Sequence, residues 1–282
     1  MRMFIITSTI ITTITTTIIT LRTNMVPIAG AATITTTIIT VVTAITMAMP
    51  ASAKAGTGAG NALPLLVWLS PAFPVGSFAY SHGIEWAYEA GDVTDAATAQ
   101  SWIAGLVARG GPWSDAVLLG SAHRAARAEE FGRLHGIAEF AAALAPSRER
   151  KLETMAQGEA FMNAVSAAWM SDAFEKILAA IGRETAYPVA VGVAAAAHEI
   201  PLRVTLESYL LAVVSNFVSA AVRLIPLGQT DGTKIVAALT PLVREVALRA
   251  EQSSLDDVGG AAIRSDIASM KHETQYTRLF RS

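Results

Sequence analysis

Two histidine–glutamate pairs, His198-Glu199 and His272-Glu273, each supply half of the His-Glu-x-x-His pattern with which a helix binds zinc and holds a general base. Neither is followed by the second histidine, so no ligand set closes. Ser77, Ser81 and His82 place hydroxyls and an imidazole in one short stretch, yet no Gly-x-Ser-x-Gly turn or oxyanion-hole context accompanies them. Gly228-Gln-Thr-Asp-Gly232-Thr-Lys234 carries the residue types of a phosphate-binding loop. Its spacing departs from G-x-x-x-x-G-K-[ST], and an apolar helical run precedes it where a strand is required. It reads instead as a helix–helix connection with Asp231 as a cap. Cysteine is absent and the five histidines are scattered, which removes thiolate chemistry and disulfides. These residues argue against an enzyme and against a resident metal or cofactor.

Two other segments have the chemistry of binding. Ser70 to Gly83 reads as a loop, because Pro71 and Pro74 remove backbone donors and disfavour helix before them, and Gly76 frees the chain to turn. The segment from Met270 to Ser282 mixes Tyr276, Leu279 and Phe280 with Arg278 and Arg281. Most chain ends are small and polar; apolar anchors beside arginine suit a docking peptide. His82 with Glu85 three residues later, and the turn-rich run Pro226 to Lys234 with Gln229, are further candidate contact points.

The elements that must carry these segments are helices. Thr94-Asp95 caps a helix towards Arg109, in which Ala99, Trp102, Ile103, Leu106 and Val107 share one face, and Gly110-Gly-Pro112 stops it. Ser114-Asp115 starts the next. Phe131 to Leu144 follows, and Ser147 caps a long helix over 148–170. Tyr187-Pro188 opens a helix through His198. Thr205 caps 206–225, so apolar all round that it is expected at the centre of the domain or of a dimer. Asp231 to Glu251 is the last long helix. The expected fold is all-α: a single bundle-like domain of about eight to ten helices over 61–269. Trp86, Trp102, Trp113 and Trp169 are expected in its core, and Arg124, Arg127, Glu129 and Glu130 on a solvated surface.

The first sixty residues differ in composition. Ile14-Thr-Thr-Thr-Ile-Ile-Thr20 recurs as Ile34 to Thr40, and the stretch holds three basic residues and no acid. That leaves 18 of the 21 basic residues against all 23 acidic ones for the remainder, a formal −5, which argues against nucleic acid as the partner. The low-complexity extension 1–60 allows three readings: a secretory signal with Ala51-Ser-Ala53 as cleavage site, a membrane span over Phe4 to Leu21, or a mistaken start codon. The third is favoured. Ile and Thr codons shifted by one base read as histidine codons, and Met47 or Met49 would then begin the chain.

Leu69 to Gly83, Asn216 to Gln229 and the ending His272-Glu-Thr-Gln-Tyr-Thr-Arg-Leu-Phe-Arg-Ser282 together resemble the signatures of the UreF family of urease accessory proteins. Arg148-Glu-Arg-Lys-Leu-Glu153 resembles the start of that family's mid-chain helix. The resemblance covers roughly Ala62 to Ser282. It implies a cytoplasmic, homodimeric chaperone with no membrane or nucleic-acid partner. The chaperone would bridge the UreD/UreH scaffold and the GTPase UreG, so that nickel passes through the complex to apo-urease. It also implies partner contacts at Phe78, Tyr80, His82, Glu85, Gln229, His272, Tyr276, Arg278, Leu279, Phe280 and Arg281, the last residues forming a docking tail over 270–282 that binds without helping to fold the body. The alternative is a regulator that activates GTP hydrolysis by UreG through Gln229 or an arginine. The chain departs from the family at His82, where glutamine is commoner, and near Thr233, where a second glutamine is often found.

Overall fold

The computed structural model describes residues 62–282. The Ile/Thr-rich tract, with its three readings, lies outside the described residues. Among the described residues every regular element is helical. In order they are α1 (Leu63–Trp68), α2 (Ile84–Glu89), α3 (Ala96–Arg109), α4 (Gly111–Arg127), α5 (Phe131–Ala143), α6 (Arg148–Ala168), α7 (Asp172–Ile181), α8 (Tyr187–Ala197), α9 (Leu202–Leu224), α10 (Gln229–Gln252) and α11 (Ile263–His272). Single 3-10 turns occur at Ser77–Ala79 and Leu255–Asp257. The all-α expectation holds.

The polar punctuation does what its chemistry dictates. Asp95 Oδ1 accepts from the Thr98 N–H at 2.8 Å while Thr98 Oγ1 accepts from the Asp95 N–H at 3.0 Å, a capping box that opens α3. Ser147 and Ser171 accept from the N–H groups of Arg150 and Phe174 and so cap α6 and α7. Two boundaries differ from the reading. Thr205 does not cap α9: its hydroxyl donates back to the Pro201 carbonyl at 3.0 Å, and the helix already runs from Leu202. Asp231 sits in the first turn of α10, behind the N-cap Gly228, and pairs with Lys234. Its charge there still favours the helix start.

The centre of the fold is α8, not α9. Every residue from Pro188 to Ala196 is buried. These side chains are small, so neighbours close in on several sides. A Cβ at Gly192 would lie 2.6 Å from the Leu119 carbonyl oxygen of α4, and one at Gly158 of α6 would lie 1.8 Å from the Thr185 carbonyl oxygen before α8. Helix α9 turns Leu206, Leu210, Val214, Phe217 and Ala221 inward and leaves Leu211 exposed. It is long and apolar enough to cross a bilayer, and 50% of that window is buried within the fold.

Trp68 is the fully buried tryptophan, edge-on to Phe161 and Trp169, each 5.9 Å between centroids. Trp113 is also buried, whereas Trp86, Trp102 and Trp169 are half-buried. Arg124 departs from the solvated surface expected for it. Its guanidinium donates to the carbonyls of Glu251 at 3.0 Å and Ser253 at 2.7 Å, satisfying the end of α10.

Candidate functional site

The loop from Ser70 to Gly83, the first turns of α6, and α11 with the segment after it meet at one junction. The loop reaches it through two consecutive left-handed residues, His82 at φ 54° and Gly83 at φ 78°. Only glycine suits the second position, since a Cβ there would lie 2.7 Å from the Ser269 backbone nitrogen of α11. His82 bears the same backbone strain with a side chain, which its ring contacts must hold in place.

That ring packs edge-on against Phe217 at 4.5 Å, and its Nε2 lies 2.7 Å from Glu153 Oε1. Glu153 is 2% exposed, pairs with Arg150, and accepts from Gln157 Nε2 at 3.0 Å and from Ser282 Oγ at 2.8 Å. Burial alone would raise its carboxyl. Arg150 and His82 outweigh that and hold it down to about 2. His82 itself is lowered, first by burial and then by Arg150. Asp115 of α4, half-buried, goes the other way. Desolvation pushes it up to about 6 against the pull of Arg150 and a 3.3 Å hydrogen bond from Tyr209. His82, Asp115, Arg150 and Thr154 border both a cavity of about 140 Å³ and a smaller one of about 30 Å³ beside it.

A second polar cluster abuts the first. His272, with no exposed side-chain surface, places Nδ1 2.7 Å from Glu149 Oε2 and Nε2 3.1 Å from Glu85 Oε2. Glu85 also accepts from the backbone N–H groups of Leu279 at 2.6 Å and Phe280 at 2.9 Å. Glu149 accepts from Arg278 Nη1 at 2.6 Å. Glu273 accepts from the Arg148 N–H at 2.8 Å, at the start of α6. Ser81 bonds the Ser282 carbonyl through both its N–H and its hydroxyl. The Arg281 N–H donates to the Ala79 carbonyl at 2.8 Å. Phe280 is 4% exposed beneath the Arg223 guanidinium, which lies 4.3 Å from the ring centroid and also donates to the Phe78 carbonyl.

The sequence-derived residues therefore divide. Glu85, His272 and Phe280 are buried inside this chain and His82 and Tyr80 are half-buried. Glu85 and Phe280 take part directly in holding the segment down, His272 pairs with Glu85 and Glu149, and His82 pairs with Glu153. Tyr276, Leu279 and Phe78 point outward, and Arg278 and Arg281 are exposed. Gln229 is exposed at the start of α10 and shares no hydrogen bond with the junction among the described residues. The expectation that the C-terminal segment contributes nothing to the body is thus corrected: carboxylates at the heads of α2 and α6 need donors, and its backbone and side chains supply them. Sequence reasoning missed Glu149, Glu153, Arg150, Asp115 and Ser282. The available signal was Glu149 and Glu153, four apart on one face of α6 and therefore neighbours. Among the described residues no three His, Asp or Glu side chains converge to hold an ion.

The site is thus an all-helical scaffold with one C-terminal segment half-embedded and half-presented. Comparison with known proteins places this scaffold among accessory proteins. The UreF family profile matches residues 93–240. A urease accessory protein UreF of Rhodopseudomonas palustris (strain BisA53) is 54% identical over 218 residues, covering 77% of this chain and 92% of the relative. One from strain BisB18 is 56% identical, covering 77% and 90%. One from Xanthobacter autotrophicus (strain ATCC BAA-1158 / Py2) is 50% identical over 243 residues, covering 83% of this chain and all of the relative. The chain belongs to the UreF family of urease accessory proteins.

Proposed function

We propose that the chain is a urease maturation factor that works in the cytoplasm as a homodimer and bridges UreD/UreH and UreG. GTP hydrolysis by UreG would then deliver nickel to apo-urease. Nickel is cargo in this reading, and GTP is held by the partner. Family membership supports the maturation role.

The observation that best supports the bridging role is the two-sided build of the C-terminal segment. Its inward side is fixed by Glu85, Glu149 and Glu153, while Tyr276 is fully exposed and Leu279 and the adjacent Phe78 are 64% and 65% exposed. Apolar side chains carried on an already ordered backbone lose little entropy when a partner covers them.

Co-expression with UreD/UreH and UreG tests this. The chain is expected to capture both, and the Tyr276→Ala/Leu279→Ala pair is expected to lose UreD/UreH capture by about tenfold or more, at one or two lost anchors, with unchanged melting. Full capture by that variant contradicts the docking role. Gln229, exposed in the first turn of α10, keeps the regulatory reading testable. A fall in UreG turnover on adding the Gln229→Ala variant in place of the natural chain would assign it an activating role.

A further inference from the structure

Arg223, near the end of α9, ties three parts of the chain together. Its Nε donates to the Ser219 carbonyl at 3.2 Å, one turn back on its own helix, and its Nη2 donates to the Phe78 carbonyl at 2.8 Å. The guanidinium so fixed lies over the Phe280 ring, 4.3 Å from the centroid. The C-terminal segment also runs beside the loop: the Arg281 N–H donates to the Ala79 carbonyl, and the Ser81 N–H to the Ser282 carbonyl. Phe78 and Leu279, 65% and 64% exposed, are therefore carried on adjoining stretches of backbone that these bonds hold in place.

The charge around these two side chains is one-sided. Inward, Glu85, Glu149 and Glu153 already meet donors from the segment and from α6. Outward stand Arg223 and Arg281, both exposed. The partners of Arg223 are neutral, two carbonyls and an aromatic ring. Arg281 is tied only through its backbone N–H. Among the described residues neither guanidinium pairs with a carboxylate, whereas Arg278 does. The chain beyond residue 60 carries a formal −5, so a positive rim around exposed apolar side chains is a local departure from its general character. Apolar anchors beside unpaired guanidinium groups complement a surface that joins an apolar hollow to carboxylates, which arginine takes through two parallel N–H bonds.

We propose that the protein docked on Phe78 and Leu279 brings carboxylates to Arg223 and Arg281, so that this patch recognises an apolar protein surface rimmed by acidic residues. The proposal rests on the reading that UreD/UreH docks on the outward side of the segment, and it specifies the chemistry of that contact. The apolar side chains supply the holding energy. The two guanidinium groups supply approach and orientation, because exposed charges act mainly through the association rate and are screened by salt. An acidic surface arriving elsewhere on a chain of net negative charge is repelled, which favours this one orientation.

Purified UreD/UreH of the same organism, immobilised and titrated with the full chain, tests this. Between about 50 and 500 mM NaCl the Debye length shrinks about threefold, and the affinity of the natural chain is expected to fall about tenfold, mostly in the association rate. Arg281→Glu is expected to weaken binding about tenfold at low salt and to remove most of the salt response, with unchanged melting. Arg223→Gln is expected to lose several-fold at low salt, and Arg223→Lys, which keeps the charge, to recover the salt response. Salt-insensitive affinity in the natural chain, or Arg281→Glu binding as tightly as the natural chain at low salt, overturns the proposal while apolar docking stands. Retention of the chain on phosphatidylglycerol vesicles in place of capture, lost in Arg281→Glu, assigns the patch to a lipid surface and equally overturns it. No capture at any salt overturns the docking reading and the proposal with it.

Discussion

The seam around α8 and the junction around α6 and the C-terminal segment hold the same molecule together by opposite means. The seam is built from Ala, Val and Gly, buried without exception from Pro188 to Ala196. Its cohesion is dispersion and the removal of apolar surface from water, with no titratable group in the helix interior. The junction is built from Glu85, Glu153 and His272, which are buried, and from Glu149, Arg150 and His82, which are half-buried. Buried ions gain little net stability over apolar packing. What they add is direction: the carboxylates accept from donors at fixed places in the segment, so the C-terminal segment has one register. The two regions divide the work of giving the chain a rigid body and one segment held in a definite pose.

The contrast can be broken at either end. The largest effect is expected from Glu153→Ala, which leaves Arg150 buried without its carboxylate, at a cost of about 3–5 kcal/mol in urea unfolding. Acid titration sharpens this. The Glu153 carboxyl is held at about 2 against an ordinary 4.5, so its contribution is complete above pH 4.5 and is lost as pH falls through 2.

On the apolar side, Gly158→Ala is expected to cost about 3 kcal/mol, at the upper end of overpacking. Its new methyl meets the Thr185 carbonyl rather than a flexible side chain, and unlike the Glu153 effect this loss should not vary with pH or salt.

Asp115→Asn is expected to raise stability at pH 7 by about 1–2 kcal/mol, since desolvation penalises its charged form. The folded carboxyl stands at about 6 against 3.8. In the natural chain stability is therefore expected to grow as pH falls from 6 to 3.8, and the variant should lose that slope. The smallest effect is expected from Tyr276→Ala, within about 0.5 kcal/mol by thermal melting, because that side chain is solvated and touches no core.

How legible these regions were follows from their physics. The long helices announced themselves through local signals, the Asp95 and Ser147 caps and the i, i+3, i+4 spacing in α3, because capping and amphipathicity are short-range properties. The six-residue α1 and α2 span too little chain to show a period. α8 hid its centrality, since Ala and Gly carry low hydrophobicity yet permit the closest helix approaches. Tyr276, Phe280 and Arg278 were legible as binding chemistry, but not their division into an inward and an outward set. That division depends on Glu85 and Glu149, one of them 195 positions away from Phe280 in the chain. Arg124 read as solvated because nothing local reveals that the end of α10 lies above it.

The account stands most directly on the claim that the outward side chains of the embedded segment serve urease maturation. The test is the nickel content of urease from cells lacking the natural chain and supplied with either the natural chain or the Tyr276→Ala/Leu279→Ala variant. The variant's C-terminal hydrogen-exchange protection should be intact in the same preparation. The account predicts undisturbed protection with nickel loading reduced about tenfold, the loss expected when central apolar anchors are removed. Full nickel loading by the variant would contradict it.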